Sequence, residues 1–123
     1  MKTNESAENY LETILILSQK LPVVRSIDVA TELGFKKSSV SVAMKHLREK
    51  EHIKVSESGY ITLTDAGREI AEMIYERHNI LTSMLVALGV TPHVASEDAC
   101  RMEHVISAES FAAIKEHFNS KQK

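Results

Sequence analysis

Cysteine is almost missing from this chain: Cys100 is the only one in 123 residues. An internal disulfide is thereby excluded, and a lone thiol fits a reducing compartment better than a secreted one. No apolar run approaches the roughly 18 residues that mark a membrane span. The opening MKTNESAENY also lacks the basic-then-apolar pattern of a secretory leader. These absences predict a cytoplasmic chain with no membrane partner. There is no internal repeat, no low-complexity segment, no glycine-rich substrate loop and no distinct general-base motif, which points away from an enzyme.

What is present is ordinary in amount and uneven in placement. Hydrophobic residues make up 43% and charged residues 26%, near the averages for globular proteins, so a packed core is expected. The length suits one compact domain, or a small domain with an added helical segment. A net charge of -2 argues against a generally basic nucleic-acid coat, but averages hide local patches. Lys36, Lys37, Lys45, Arg48 and Lys50 are set against Glu49 alone, whereas Glu97, Asp98, Glu103 and Glu109 are set against Arg101. One segment is cationic and the other anionic.

Hydrophobic periodicity organises the chain into helices with one interruption. Over residues 6–20, Tyr10, Leu11, Ile14, Leu15 and Leu17 have amphipathic helical spacing, with Ser6 as the expected N-cap. After Leu21-Pro22, Ser26 is expected to cap a short helix, IDVATEL, that stops at Gly34. In KKSSVSVAMKHLREKEHI, Val40, Ala43, Met44 and Leu47 form one apolar stripe and leave Lys37, Ser38, Ser41, Lys45 and Arg48 largely outward. A short helix, a tight turn and a longer basic helix make a helix-turn-helix. Residues 53–55 and 60–64 then read as two β segments joined through Ser-Glu-Ser-Gly, which is a wing.

Beyond the wing the chain is helical again. Thr64 and Asp65 open a long helix closed by Gly89, in which Gly67 is expected only to weaken the first turn. A further helix follows from Thr91 or Pro92 to about Ile106. Ser107 caps a last one, AESFAAIKEHF, ahead of a polar tail, NSKQK. The fold class expected is therefore mainly α, with a winged helix-turn-helix over 1–64 and a helical domain over 65–123.

The stretch DACRMEHVIS concentrates the chemistry. On a helix, Cys100, Glu103 and His104 project from one side of about one turn, and thiolate, carboxylate and imidazole are all competent ligands for first-row metals. The same residues also suit a solvated or buried helix face, and both readings stand at this level. Asn9 and Glu12 share a face of the first helix and offer an amide oxygen and a carboxylate. His78 stands at a polar break in the long helix; taken singly, Glu12 and His78 are each ordinary surface residues.

The order of these motifs resembles the diphtheria toxin repressor family of metal-dependent transcriptional regulators, which includes the manganese transport regulators. The resemblance spans nearly the whole chain. It rests on SAENYLETI, the winged helix-turn-helix from Ser26 to Thr64, ERHNIL around His78, and above all DACRMEHVIS. It implies Cys100, Glu103, His104, His78 and Glu12 as metal ligands, and it places Asn9 where other members use methionine or aspartate. Cys100 is the choice of iron-type members and Glu12 of the manganese type, so the sequence is a hybrid. The chain also resembles the short form that lacks an SH3-like third domain.

From that resemblance the expected function is a metal-dependent repressor of metal homeostasis. Fe(II) is the expected corepressor and Mn(II) the alternative, with Co(II), Ni(II) or Zn(II) able to bind in vitro. An ion held from both halves would fix the angle between them. A homodimer is expected through Ile80, Leu81, Met84, Leu85 and Leu88, with Val86 beside them. Such a dimer would set two recognition helices on a pseudo-palindromic operator in double-stranded DNA. Lys37, Ser38, Ser39 and Ser41 are the expected base contacts, Lys36, Lys45 and Arg48 the phosphate contacts, with Arg25 and Tyr60 adding backbone contacts. Three other readings are separable. A Cys100 redox switch would survive loss of Glu103, a metalloenzyme would leave the cationic helix unexplained, and a winged-helix protein-interaction module would bind DNA in no metal state.

Overall fold

A computed structural model describes residues 3–122, and within them six helices and one two-stranded hairpin follow in the order α1 (Thr3–Lys20), α2 (Ser26–Leu33), α3 (Lys37–Glu49), β1 (Ile53–Val55), β2 (Ile61–Leu63), α4 (Asp65–Ala87), α5 (Pro92–Val105) and α6 (Ala108–Gln122). The chain is mainly α and opens with a winged helix-turn-helix. It divides into two compact units, Met1–Glu72 and Met73–Lys123, so the division falls inside α4 and later than the end of the wing at Thr64.

In the first unit the expected apolar stripe of α1 is the interior: Tyr10, Leu11, Ile14, Leu15 and Leu17 are buried. They lie among a core that also holds Val24, Val29, Ala30, Val40, Met44, Leu47, Ile53 and Ile61. Each such side chain taken fully out of water contributes about 1.5–3 kcal/mol. Ser6 lies inside α1, so its expected capping role is not realised. At α2 the cap is likewise different: Ser26 is already helical, and the Asp28 carboxylate accepts the Arg25 backbone N–H at 2.8 Å. An acid at the third helical position can satisfy the entry as well as a hydroxyl can.

Gly34 ends α2 in the left-handed region at φ 71°, where its N–H and that of Phe35 both reach the Ala30 carbonyl at 2.8 and 3.1 Å. That turn allows α3 to bury Val40, Met44 and Leu47 and to expose Lys37, Ser38, Ser39, Ser41, Lys45 and Arg48. The hairpin pairs Ile53 with Leu63, Lys54 with Thr62 and Val55 with Ile61. Tyr60 lies just outside β2, with its N–H donated to Ser56 Oγ at 3.1 Å.

Thr64 joins the wing to α4. Its Oγ1 accepts the Gly67 N–H at 3.1 Å as an N-cap and donates to the Glu51 carbonyl at 2.7 Å. Gly67 has a larger role than expected: a methyl on its Cα would overlap the carbonyl oxygen of His52, so the first turn of α4 needs a residue with no side chain.

In the second unit Ile74, Leu81, Ala95, Ala99 and Phe111 are buried. Pro92 occupies the first turn of α5, where its missing N–H costs nothing, and Ser107 Oγ accepts the Ser110 N–H at 3.0 Å to cap α6. The supposed polar tail is helical through Gln122, since lysine and glutamine are good helix formers whatever their polarity. Among the described residues no helix is long and apolar enough to cross a membrane.

Candidate metal centre

The second unit carries a buried carboxylate. Glu103, on the last full turn of α5, is 0% exposed. A buried carboxylate is strongly unfavourable unless charge or hydrogen bonds compensate it. Here a hydrogen bond with His78 Nδ1 meets Oε1 at 2.9 Å, and His104 Nε2 lies 3.2 Å from Oε2. The His104 side chain is 3% exposed and that of His78 24%, so the group is nearly closed to solvent.

Arg77, next to His78 on α4, fixes the main chain of the same residue. Its Nη1 donates to the carbonyls of Glu103 and Ile106 at 3.1 and 3.0 Å, and its guanidinium lies 5.4 Å from the centre of the Phe111 ring. These carbonyls are among the orphan acceptors at the end of α5, where a cation is also favoured by the helix dipole. On the far side of the imidazole, Ser96 Oγ is 3.5 Å from His78 Nε2. Sequence reasoning did not select Arg77 or Ser96. For Arg77 there was a signal, a guanidinium beside His78 at the break in an apolar pattern, whereas Ser96 left none.

Of the residues expected to bind metal, the structure thus sets His78 and His104 each against Glu103, on different oxygens of its carboxylate. Cys100 is exposed, one turn before Glu103. Ser96, Cys100, Glu103 and His104 nevertheless fall at helical spacings of one face, and His78 touches that face at Ser96 and at Glu103, on either side of Cys100. Asn9 and Glu12 belong to α1 of the first unit, where Asn9 is half-buried and Glu12 buried.

The group fits a cation on chemical grounds. The two nitrogen-to-oxygen separations, 2.9 and 3.2 Å, fall on different oxygens of the one carboxylate, so the fit rests on the donor types rather than on a formed coordination geometry. Imidazole with carboxylate suits divalent first-row metals, and thiolate would shift preference toward the softer of them.

The residues expected at DNA lie in the first unit. Lys36, Lys37, Ser38, Ser39, Ser41, Lys45 and Arg48 are all exposed along α3 or at its start. Arg25 is exposed and meets Tyr60 across the wing. Among the residues expected at a dimer face, Leu88 is 74% exposed and Val86 41%, while Ile80, Met84 and Leu85 are half-buried. Leu81 is a correction, because it is 0% exposed and packs inside the chain.

A winged helix with a basic second helix, followed by a helical unit whose buried carboxylate meets two imidazoles, marks a DNA-binding protein with a candidate cation site. Comparison with known proteins agrees. Residues 2–61 match the model described as iron dependent repressor, N-terminal DNA binding domain, and residues 64–123 match iron dependent repressor, metal binding and dimerisation domain. The chain belongs to this family, the diphtheria toxin repressor family of metal-dependent transcriptional regulators.

Its relatives include the transcriptional regulator MntR of Escherichia coli, 32% identical over 90% of this chain and 72% of that protein. An uncharacterised helix-turn-helix regulator of Methanocaldococcus jannaschii is also 32% identical, over 91% of each. A manganese-dependent transcriptional repressor solved with manganese matches with a TM-score of 0.85 at 28% identity, over 92% of this chain and 52% of that one. The chain spans about half the length of that structure.

Proposed function

We propose that this protein represses transcription when a divalent first-row metal, Fe(II) or Mn(II), is held by His78, Glu103 and His104 together with Cys100. The observation that carries the proposal is the enclosed Glu103 carboxylate with an imidazole nitrogen 2.9 Å from one oxygen and another 3.2 Å from the second. When bound, the metal supplies positive charge that Glu103 and the Cys100 thiolate need at close quarters.

The chain's own residues do the rest. His78 and His104 offer neutral nitrogen, Glu103 offers an oxygen to each side, and Arg77 keeps the end of α5 in register with His78. Asn9 and Glu12 enter the ligand set through the family resemblance, and Glu12→Gln tests that part separately. The two metals separate on Cys100: a donating thiolate favours Fe(II) by softness, while nitrogen and oxygen alone suit Mn(II), the metal named for the structural relative.

On DNA, Lys37, Ser38, Ser39 and Ser41 are assigned to base edges and Lys36, Lys45 and Arg48 to phosphates, with the homodimer closing through Ile80, Met84, Leu85, Val86 and Leu88. Two recognition helices then meet a pseudo-palindromic duplex. Metal responsiveness follows if the DNA-competent conformation binds the cation more tightly, and the shift obtainable is set by that difference in affinity.

The test is an anaerobic titration of the metal-free protein with Co(II), a spectroscopic stand-in for Fe(II). A sulfur-to-metal charge-transfer band that disappears in Cys100→Ser supports thiolate ligation, and its saturation point counts the ions per chain. With the thiol reduced, absence of the band removes Cys100 from the ligand set and leaves a manganese-type site. Failure to bind Co(II) and Mn(II) alike would overturn the proposal.

A further inference from the structure

The wing is tied to the start of α2 by three contacts of different kinds. Ile61 N–H donates to the Val24 carbonyl at 2.7 Å, so the segment before α2 runs alongside β2. The Arg25 guanidinium carbon stands 4.9 Å over the centre of the Tyr60 ring, within the range of a cation–π contact. Arg25 Nη2 also donates to the Tyr60 hydroxyl at 3.2 Å.

Both ends of this pair are themselves fixed. The Arg25 backbone N–H is held by Asp28, and the Tyr60 N–H by Ser56 Oγ. A long side chain normally loses rotamer freedom when it meets a partner, which offsets part of the contact. Arg25 has already lost much of that freedom. Its side chain is exposed, and a guanidinium carries five N–H donors, of which this pair uses one. The remaining planar fork matches the bidentate geometry of a phosphate.

We infer that Tyr60 is a positioning residue for DNA binding: it holds the Arg25 guanidinium in a preset orientation for one backbone phosphate while fastening the wing to α2. The inference rests on the DNA-binding reading above and adds to it that Tyr60 acts through Arg25 rather than by touching DNA itself. Because phosphate contact is independent of sequence, a mixed-sequence duplex serves as the probe without knowledge of the operator.

The experiment measures the affinity of the Mn(II)-supplemented full chain for a fluorescent mixed-sequence duplex over a range of salt concentrations. Arg25→Gln is expected to lower affinity and to reduce the slope of log affinity against log salt by about one. Tyr60→Leu is expected to weaken binding about threefold to tenfold in the wild-type background and to do nothing further in the Arg25→Gln background, the non-additivity expected of one coupled unit. Tyr60→Phe, which keeps the ring and loses the hydroxyl, should fall between.

Equal losses from Tyr60→Leu in both backgrounds would overturn the inference, as would a loss that tracks a lowered melting temperature in every variant. A wild-type chain that does not bind the duplex under any metal condition would instead defeat the DNA-binding reading itself.

Discussion

The two units bury different things. In the first, α1 sends Leu11 and Ile14 into a hydrocarbon interior at 1% and 0% exposure, and such burial is accounted for by folding alone. In the second, Glu103 is as inaccessible as Ile74 and Leu81, although its ionised form loses far more on leaving water than it recovers by packing. An apolar core residue says that the chain folds, whereas a buried carboxylate beside imidazoles asks what the chain holds. The same question attaches to Glu12 in the first unit, a buried acid among aliphatic neighbours along α1.

Substitutions can break this contrast, and the largest effect expected is at Ile14. Ile14→Ala should destabilise the metal-free protein by about 2–5 kcal/mol in urea denaturation, through lost transfer energy and the cavity left behind. Glu103→Gln should behave in the opposite manner. Its stability in urea should change by no more than about 1 kcal/mol, because removing a buried charge offsets much of what the lost contacts to His78 and His104 contributed. Its Co(II) affinity should fall at least about 100-fold, more than the loss of a supporting partner costs. If Glu103→Gln unfolds the chain as readily as Ile14→Ala, the carboxylate is structural and the contrast fails.

A third substitution sharpens the comparison at the base of the wing. Gly67→Ala improves helix propensity yet forces a methyl against the His52 carbonyl. A net destabilisation of about 1–3 kcal/mol is expected in the same urea assay, typical of overpacking. A stabilised Gly67→Ala protein would show that the two backbones can separate there at little cost.

Much of this molecule was legible before the structure. The apolar stripe of α1, the glycine stop at Gly34, the hydroxyl caps at Thr64 and Ser107 and the hairpin between two helical blocks all follow from local periodicity and capping chemistry. Other features depend on residues far apart in the chain. Nothing local says that the His52 carbonyl will lie against Gly67, that Leu81 will face inward while Leu88 does not, or that Asp28 will serve α2 where Ser26 looked suited to do so. At the candidate centre, Glu103, His104 and His78 were each visible as residue types. That one oxygen of Glu103 faces His78 depends on where α4 runs beside α5, whereas the contact with His104 is between neighbours on α5.

Arg77 and His78 are neighbours in the chain and grip one residue in two ways, the first by its main-chain oxygen and the second by its carboxylate. Glu103 therefore has little latitude to swing toward or away from an incoming ion. If Glu103 is a ligand as proposed, a site of this kind acts as a gauge, ranking cations by radius and preferred bond length before softness enters. Its tolerance would then depend in part on Arg77, an arginine that holds the main chain rather than the ion.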